Sequence, residues 1–396
     1  MTQLQPLKIG IVGMGLGTAL MLPAIVQHPN YSLTGAFSRR PDIRADFEQT
    51  LEAKAFDSME AMCDGNTVEA VYIATPLFLH REQTLIALER GKHVIVEKPL
   101  AMTLEECDEL IGAAERSGCT IVCGETHAMF PIYPRMREII ASGDLGKLGM
   151  INSWCYNDFA YRPRRPEEMD PATGGGAVFN QGSHQADIIR LLGGGLVRSV
   201  RAYTGVWDAA RKMEGSYLAY LEFEGGAAAA MTFSGYDHFD SDELHFWVGE
   251  NGGDKPTDRH GKAIEALAAI ASPEEETARR SAISYKAFLN QDRSGMHMPH
   301  HGVVIASCER GDIRPSPNGL LIYGDNGMRE EVVSPGPGLP GRTQTLDELY
   351  GAATAGVEPL HGATWSKATL EVLLAIHKSA RDREEIVMQH QTPVPE

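Results

Sequence analysis

Two side chains in this 396-residue chain stand where proton chemistry would need them. Lys98 ends the apolar run "HVIVEKPLAM" (93–102), with Glu97 before it and Pro99 behind. In a parallel α/β sheet, ligands collect at the carboxyl ends of strands, so an amine delivered there can exchange protons with a bound molecule. Strand alternation sends Glu97 and Lys98 to opposite sides, yet both can touch a ligand lying across the strand end. His184 lies in "GGGAVFNQGSHQADIIRLLGGG" (174–195), four residues after Asn180 and three before Asp187. On a helix that spacing places Asn180 one turn before the imidazole, as a cap or a partner for a substrate hydroxyl, and lets Asp187 orient the ring. The triple glycine ahead of it permits close backbone approach to a ligand. Plainer readings stand beside these. A strand-end lysine can be a snorkelling surface residue, and a histidine on an apolar helix is often a satisfied core residue.

The stretch "GIVGMGLGTAL" gives Lys98 something to act on. Gly13, Gly15, Leu16 and Gly17 fall between a first strand and a first helix, where close backbone approach and a helix N-terminus make a pyrophosphate site. The usual third glycine position holds Thr18, with Gly17 one residue early. A tight turn alone would account for a lone glycine pattern; the strand before it and the helix after it favour a dinucleotide. The second strand ends in Phe37-Ser38-Arg39-Arg40, with Ser38 where NAD sites carry an acid. A serine accepts a 2′-phosphate without repelling it, and Arg39 and Arg40 can pair with it, which favours NADP over NAD. Alternatively both arginines are solvated loop charges. A lysine near an oxidised, cationic nicotinamide would have its pKa lowered toward neutrality.

The elements that must position these residues are legible as alternating patterns. "KIGIVG", "YSLTGAFS", "EAVYIAT", "KHVIVE" and "CTIVCGE" read as strands, the middle ones dense in Val and Ile as strands buried on both faces should be. A helix over about Leu79–Arg90 is closed by Gly91, and another begins at Thr103 with Glu106 completing a capping box. This alternation predicts an N-terminal Rossmann domain, a doubly wound parallel sheet, over residues 1–126. Beyond it, residues 127–396 read as one substrate-binding and oligomerisation domain, α+β with a large, mainly antiparallel open sheet. Its helices are expected near 132–142, up to Leu192, over Pro273–Asn290 and over Trp365–Arg381. Its strands are "MINSWCYNDF", "SVRAYTGVW", "SYLAYLEFEGG", "AAAAMTFSGYD", "ELHFWVGE", "GVVIASCER" and "GLLIYGDNGMREEVV", the last with an Asn326–Gly327 hairpin signal.

Bulk properties restrict the class. Net charge is 36 − 53 = −17, which argues against general nucleic-acid binding. No apolar run reaches the roughly 20 residues of a membrane span. Six cysteines, with Cys119 and Cys123 spaced C-x3-C, make neither a disulfide framework nor a zinc module, so reduced thiols and a cytoplasmic location are expected.

Gly13-x-Gly15, Ala74-Thr75-Pro76 with His80, Glu97-Lys98-Pro99, and Gly174-Gly-Gly…Asn180-x-Gly182-x-His184-x-x-Asp187 occur in this order over nearly the whole chain. Together they resemble the Gfo/Idh/MocA oxidoreductase family, which includes glucose–fructose oxidoreductase and inositol dehydrogenase. The resemblance implies a Rossmann domain followed by an open antiparallel sheet used for homodimer or homotetramer contacts. It implies a cis peptide between Lys98 and Pro99, Glu97 on the nicotinamide ribose, Thr75, Pro76 and His80 around the cofactor, Lys98 and His184 as the acid/base pair, and no metal. The family's sugar dehydrogenases usually have Asp where Asn180 stands. Asn cannot take a proton, so either Lys98 and His184 suffice or the substrate is not a typical sugar.

"DFAYRPRRPEEMDPATGGGAVFNQGSHQADIIRLLGGG" and "VVIASCERGDIRPSPNGLLIYGD" are similar to a branch that oxidises aromatic-acid cis-dihydrodiols of the phthalate type to catechols. Arg162, Arg164 and Arg165 precede the His184 segment, and guanidinium groups suit planar carboxylates; pairing with Glu167, Glu168 and Asp170 is the plainer reading. Other readings are a sugar or polyol dehydrogenase of the same family and a dinucleotide-sensing regulator without turnover. "HMPHHG" (297–302) carries His297, His300 and His301, but no carboxylate or cysteine pattern beside them supports a metal. A plain loop or a substrate contact accounts for them.

Overall fold

The computed structural model describes residues 5–395. They divide into two compact units. The first comprises residues up to Glu125 together with Ser281–Asp292 and Pro337–Lys367, and the second comprises the remainder.

The first unit is built on a six-stranded sheet: β1 (Leu7–Val12), β2 (Tyr31–Phe37), β3 (Lys54–Phe56), β4 (Ala70–Ile73), β5 (His93–Val96) and β6 (Ile121–Cys123). All pairings are parallel, in the order β3-β2-β1-β4-β5-β6. The reversal of strand order at β1 and β4 is the switch point at which such sheets bind dinucleotides. Residues of β4 and most of β5 are buried on both faces, which is why Val, Ile and Tyr fill them without polar alternation. The three-residue edge strand β3 carries too short a pattern to read from sequence. Between strands, Thr103 Oγ1 accepts from Glu106 N, and Glu106 reaches back to Met102 N, fixing the start of the Leu104–Ser117 helix. The helix before β5 spans His80–Glu89, followed by Gly91 at φ 69°.

A continuous domain over 127–396 is not what the contacts give. Two later stretches fold back into the first unit because its sheet would otherwise leave apolar surface open. Leu339, Leu346 and Leu349 join Leu7, Ile9, Met21 and Leu22 in one core cluster, and Tyr285 joins it from the other stretch. The buried Tyr31 hydroxyl donates to Leu346 O at 2.8 Å. The same packing ends the charged helix early. It runs Pro273–Ser281 rather than to Asn290, and the following segment buries Tyr285 and pairs Lys286 with Asp46 at 2.6 Å.

The second unit holds β7 (Leu148–Tyr156), β8 (Val197–Gly205), β9 (Ser216–Phe223), β10 (Ala228–Ser234), β11 (Val303–Cys308), β12 (Gly311–Ser316), β13 (Gly319–Gly324), β14 (Gly327–Val332) and β15 (Ile386–Val387). They form one nine-stranded sheet, β14-β13-β12-β11-β7-β10-β9-β8-β15, antiparallel except between β7 and β10. The Ser183–Gly193 helix packs on β7 and β10 with all but its terminal glycine buried. Strands alternate, so the other face is left with exposed Met150, Trp154, Tyr203, Leu218 and Tyr220.

The stretch "ELHFWVGE" is not a strand. Ser241–His245 forms a short helical turn, and Phe246 and Trp247 then take positive φ of 59° and 61°. Its aromatic residues have high β-propensity, but the tertiary setting overrides a propensity that spans only about 1 kcal/mol. The β13–β14 hairpin forms as expected, with Gly327 at φ 97°.

Candidate active site

At the strand ends of the first unit, the glycine loop has the form an anion needs. Gly13 has φ 92°, and a Cβ there would lie 2.7 Å from Ala74 O, so only glycine fits. A Cβ on Gly15 would meet nothing within 4 Å, and the Leu16–Gln27 helix that begins there has no side-chain cap. Its first N–H groups are therefore available to a pyrophosphate. Thr18 explains its own presence in place of a third glycine: it is fully buried and donates Oγ1 to Gly13 O, tying the loop to the helix. These residues fit a dinucleotide.

At the end of β2, Ser38 Oγ accepts from Arg40 N at 3.3 Å. Arg40 is spread over the Asp42 carboxylate, Nε at 3.2 Å, while Arg39 is exposed. Of the two arginines expected to meet a 2′-phosphate, Arg40 is thus already engaged by an acid. After β4, Thr75 Oγ1 donates to Gln83 Oε1 at 2.6 Å, and Pro76 precedes a short turn of helix, Leu77–Leu79. His80 is buried, with Nδ1 2.9 Å from Pro99 O and Nε2 2.9 Å from Thr75 O. Its ring therefore straps the Thr75 loop to the residue behind Lys98, a positioning role. Burial lowers its pKa, against the two carbonyls, which raise it. At the end of β5, Glu97 accepts from the fully buried Tyr72 hydroxyl at 2.6 Å. Burial and then the Glu97 charge push the Tyr72 pKa up, which keeps it a donor. Lys98 is half-buried, and its bond to Pro99 is cis.

In the second unit, the glycine triplet leads into a π-turn, Val178–Gly182, which runs directly into the Ser183–Gly193 helix. Asn180 therefore sits inside the turn and does not cap the helix; it is exposed and accepts from Gln181 Nε2 at 3.0 Å. A π-bulge of this kind is frequent at functional sites. Asp187 is fully buried and accepts from Thr369 Oγ1 at 3.0 Å. Gln185 is held by Tyr217 and donates to Ser153 Oγ at 2.8 Å, pinning the helix to the sheet.

His184 is buried, and its ring lies 3.7 Å, centroid to centroid, from that of His127. The His301 ring lies 5.2 Å from His127 and 5.4 Å from His184. Glu250 Oε1 joins two of these rings, 2.9 Å from His127 Nε2 and 2.8 Å from His301 Nδ1. Burial opposes the Glu250 charge, but the two imidazole hydrogen bonds outweigh it and hold its pKa well below the usual carboxylate range. The three histidines of "HMPHHG" go separate ways. His297 Nε2 lies 3.3 Å from Asp254, His300 bonds Val248 O and Gly302 O, and only His301 reaches this cluster. Sequence reading finds no carboxylate beside them; the fold supplies Glu250 from the misread "ELHFWVGE" stretch. Neither His127 nor Glu250 stands in a pattern that sequence reading could single out, beyond the position of His127 shortly after the last parallel strand.

The arginines are held locally. Arg162 Nε donates to Asp158 Oδ1 at 2.7 Å, and Glu250 is near enough for its charge to act on Arg162. Arg164 is 6% exposed, donates to Phe159 O and lies 3.9 Å over the Phe159 ring. Burial, then the Arg162 charge, lowers its pKa to about 9. Arg165 meets Glu168 and Glu167.

Glu214 anchors the glycine triplet. It accepts from Val178 N at 3.1 Å, and a Cβ on Gly176 would collide with its carboxylate. Burial raises its pKa to about 7, against the Val178 hydrogen bond; His377 Nε2 lies 3.9 Å away, itself lowered to about 4 by burial. An acid whose folded pKa exceeds its unfolded value contributes stability below the ordinary carboxylate range, and that contribution is lost as pH rises toward 7. Glu214→Gln keeps the acceptor. It should leave Tm unchanged near ~pH 4 and raise it by roughly 2–6 °C at ~pH 8 in calorimetry. A Tm difference independent of pH counts against the assignment.

Residues 7–125 match the family model described as "Oxidoreductase family, NAD-binding Rossmann fold", and residues 133–253 match the GFO/IDH/MocA C-terminal domain. The chain is 37% identical over 374 residues to the 1-carboxy-3-chloro-3,4-dihydroxycyclohexa-1,5-diene dehydrogenase of Comamonas testosteroni, covering 93% of this chain and 94% of that one. It is 28% identical over 247 residues to D-xylose 1-dehydrogenase (NADP(+)) 2 of Haloferax volcanii, covering 61% of this chain and 72% of the other. A solved structure of a Bordetella bronchiseptica protein aligns at TM-score 0.91 and 38% identity, over 97% of this chain and 100% of the other. Among the described residues no helix is long and apolar enough to cross a membrane.

Proposed function

From the premise that the chain belongs to the Gfo/Idh/MocA oxidoreductase family and is an NAD(P)-dependent oxidoreductase, we propose that it oxidises a carboxylated cyclohexadiene cis-diol of the phthalate type to a catechol. The observation that carries this reading is the similarity along 93% of the chain to an enzyme named for a carboxy-dihydroxycyclohexadiene. The residues are compatible with it. An exposed Asn180 in the turn before His184 can bond a diol hydroxyl without competing for its proton.

The roles divide by chemistry. The nicotinamide, when bound, supplies the hydride acceptor. His184 or Lys98 takes the proton from the hydroxyl being oxidised. Glu97, which accepts from the Tyr72 hydroxyl, receives a ribose hydroxyl in this reading. The resulting enone tautomerises to the catechol, and aromaticity draws the reaction forward. Arg162 remains the arginine suited to a substrate carboxylate, whereas the burial of Arg164 under Phe159 fits a packing role. The exposed row of Trp154, Tyr203, Leu218 and Tyr220 is the surface on which a homodimer or homotetramer would form.

The test is reduced-nicotinamide absorbance with NAD or NADP against phthalate cis-dihydrodiol, its decarboxylated analogue, D-xylose and inositol. Turnover confined to the carboxylated diol is expected; a preference for either sugar would replace this reading with the polyol one. Serine at position 38 favours NADP. Ser38→Asp should raise the NAD over NADP ratio of kcat/KM by about tenfold or more, the size of one charge-assisted contact. An unchanged ratio would remove Ser38 from cofactor selection.

A further inference from the structure

We propose that the second unit binds a divalent transition-metal ion of the zinc class on His127, Glu250 and His301. Two imidazoles and one carboxylate are the donor set of open, three-ligand zinc sites. Here one donor atom from each residue lies within 4.8 Å of the others. Glu250 Oε1 is shared, 2.9 Å from His127 Nε2 and 2.8 Å from His301 Nδ1. A metal with bonds of about 2.0–2.2 Å to each ligand needs only a small opening of these contacts.

The backbone holds the donors in place before any ion arrives. Phe246 and Trp247 at positive φ turn the chain into the tight loop that carries Glu250, closed by Gly249 N to Gly253 O at 2.8 Å. His300 N donates to Glu250 O at 3.2 Å, strapping that loop to the histidine segment. His301 N donates to the buried Tyr133 hydroxyl at 2.9 Å. Gly302 follows at φ 61°, where a Cβ would lie 2.3 Å from Trp154 O. Ligands supported in this way need little reorganisation on binding.

The rival account is electrostatic: Arg162 supplies the positive charge that Glu250 needs, and the two imidazoles serve as hydrogen-bond donors. The metal account also deepens the proposed reaction and rests on it in one respect: an ion with open positions beside His184 suits two vicinal oxygens, those of a cis-diol or catechol.

Full-length protein is stripped with a chelator, dialysed and titrated with Zn²⁺ by calorimetry and with Co²⁺ by visible absorption, both without substrate. One equivalent should bind with a dissociation constant of ~1 µM or tighter, and Co²⁺ should show the intense ligand-field bands of a four-coordinate site. Glu250→Gln, which preserves shape, and His301→Ala should each weaken binding at least ~100-fold, with circular dichroism confirming the fold. His297→Ala, outside the cluster, should leave binding unchanged. Absence of stoichiometric uptake, or uptake unaltered by both Glu250→Gln and His301→Ala, overturns the site. Because no turnover is read, either result is separable from the substrate assignment.

Discussion

Lys98→Met is expected to lower kcat/KM by on the order of 10²–10⁴-fold, the usual contribution of one positioned acid or base. Methionine keeps the unbranched stem and removes only the amine, so the half-buried site at the end of β5 should pack as before. Cofactor affinity, followed by quenching of protein fluorescence, should change by less than about threefold, a free-energy change of under ~0.7 kcal/mol. The two measurements together separate chemistry from binding. A tenfold or smaller loss of turnover would assign Lys98 to the plainer class of strand-end surface lysines. A parallel loss of cofactor affinity would make it a binding residue.

Gly13→Ala is expected to weaken cofactor binding by about 10–100-fold and to lower Tm as well. The left-handed φ of 92° costs an alanine about 1–2 kcal/mol, and its methyl group would stand 2.7 Å from a carbonyl oxygen that cannot retreat. Gly15→Ala is the control that gives this result its meaning. Its φ of −103° is open to any residue, and no atom lies within 4 Å of the added carbon. It should leave Tm unchanged and still lose cofactor affinity if the pyrophosphate approaches that backbone. Equal Tm losses in both variants would point to a loop needed for folding alone.

The parallel sheet was readable because its strands are buried on both faces and so carry unbroken Val and Ile, and the glycine loop because it lies between a strand and a helix. Lys98 and His184 stand out in the sequence because short motifs surround them. What escaped did so for physical reasons. Phe246 and Trp247 look like strand residues, yet their left-handed backbone turns the chain and presents Glu250. Asn180 looks like a helix cap because its type and position suit one, but the helix begins through a π-turn that no propensity reveals. His127, Glu250 and His301 are separated by more than a hundred residues or by about fifty, so only the tertiary fold brings their rings and carboxylate together. The arginines before His184 have local partners. Their partners include Asp158, Phe159 O, Glu167 and Glu168, of which Glu167 and Glu168 are expected from the adjacent sequence.

The return of Pro337–Lys367 to the first unit sets a timetable for synthesis. A nascent chain that has emerged to Glu125 holds all six strands of its parallel sheet but lacks Leu339, Leu346 and Leu349, which cover the apolar side of β1 and its neighbours. Those residues are made about 215–225 positions later, a wait of roughly 10–45 s at ~5–20 residues per second. During that interval the half-covered sheet is a target for chaperones. A fragment cut at residue 126 for expression would meet the same exposed surface permanently.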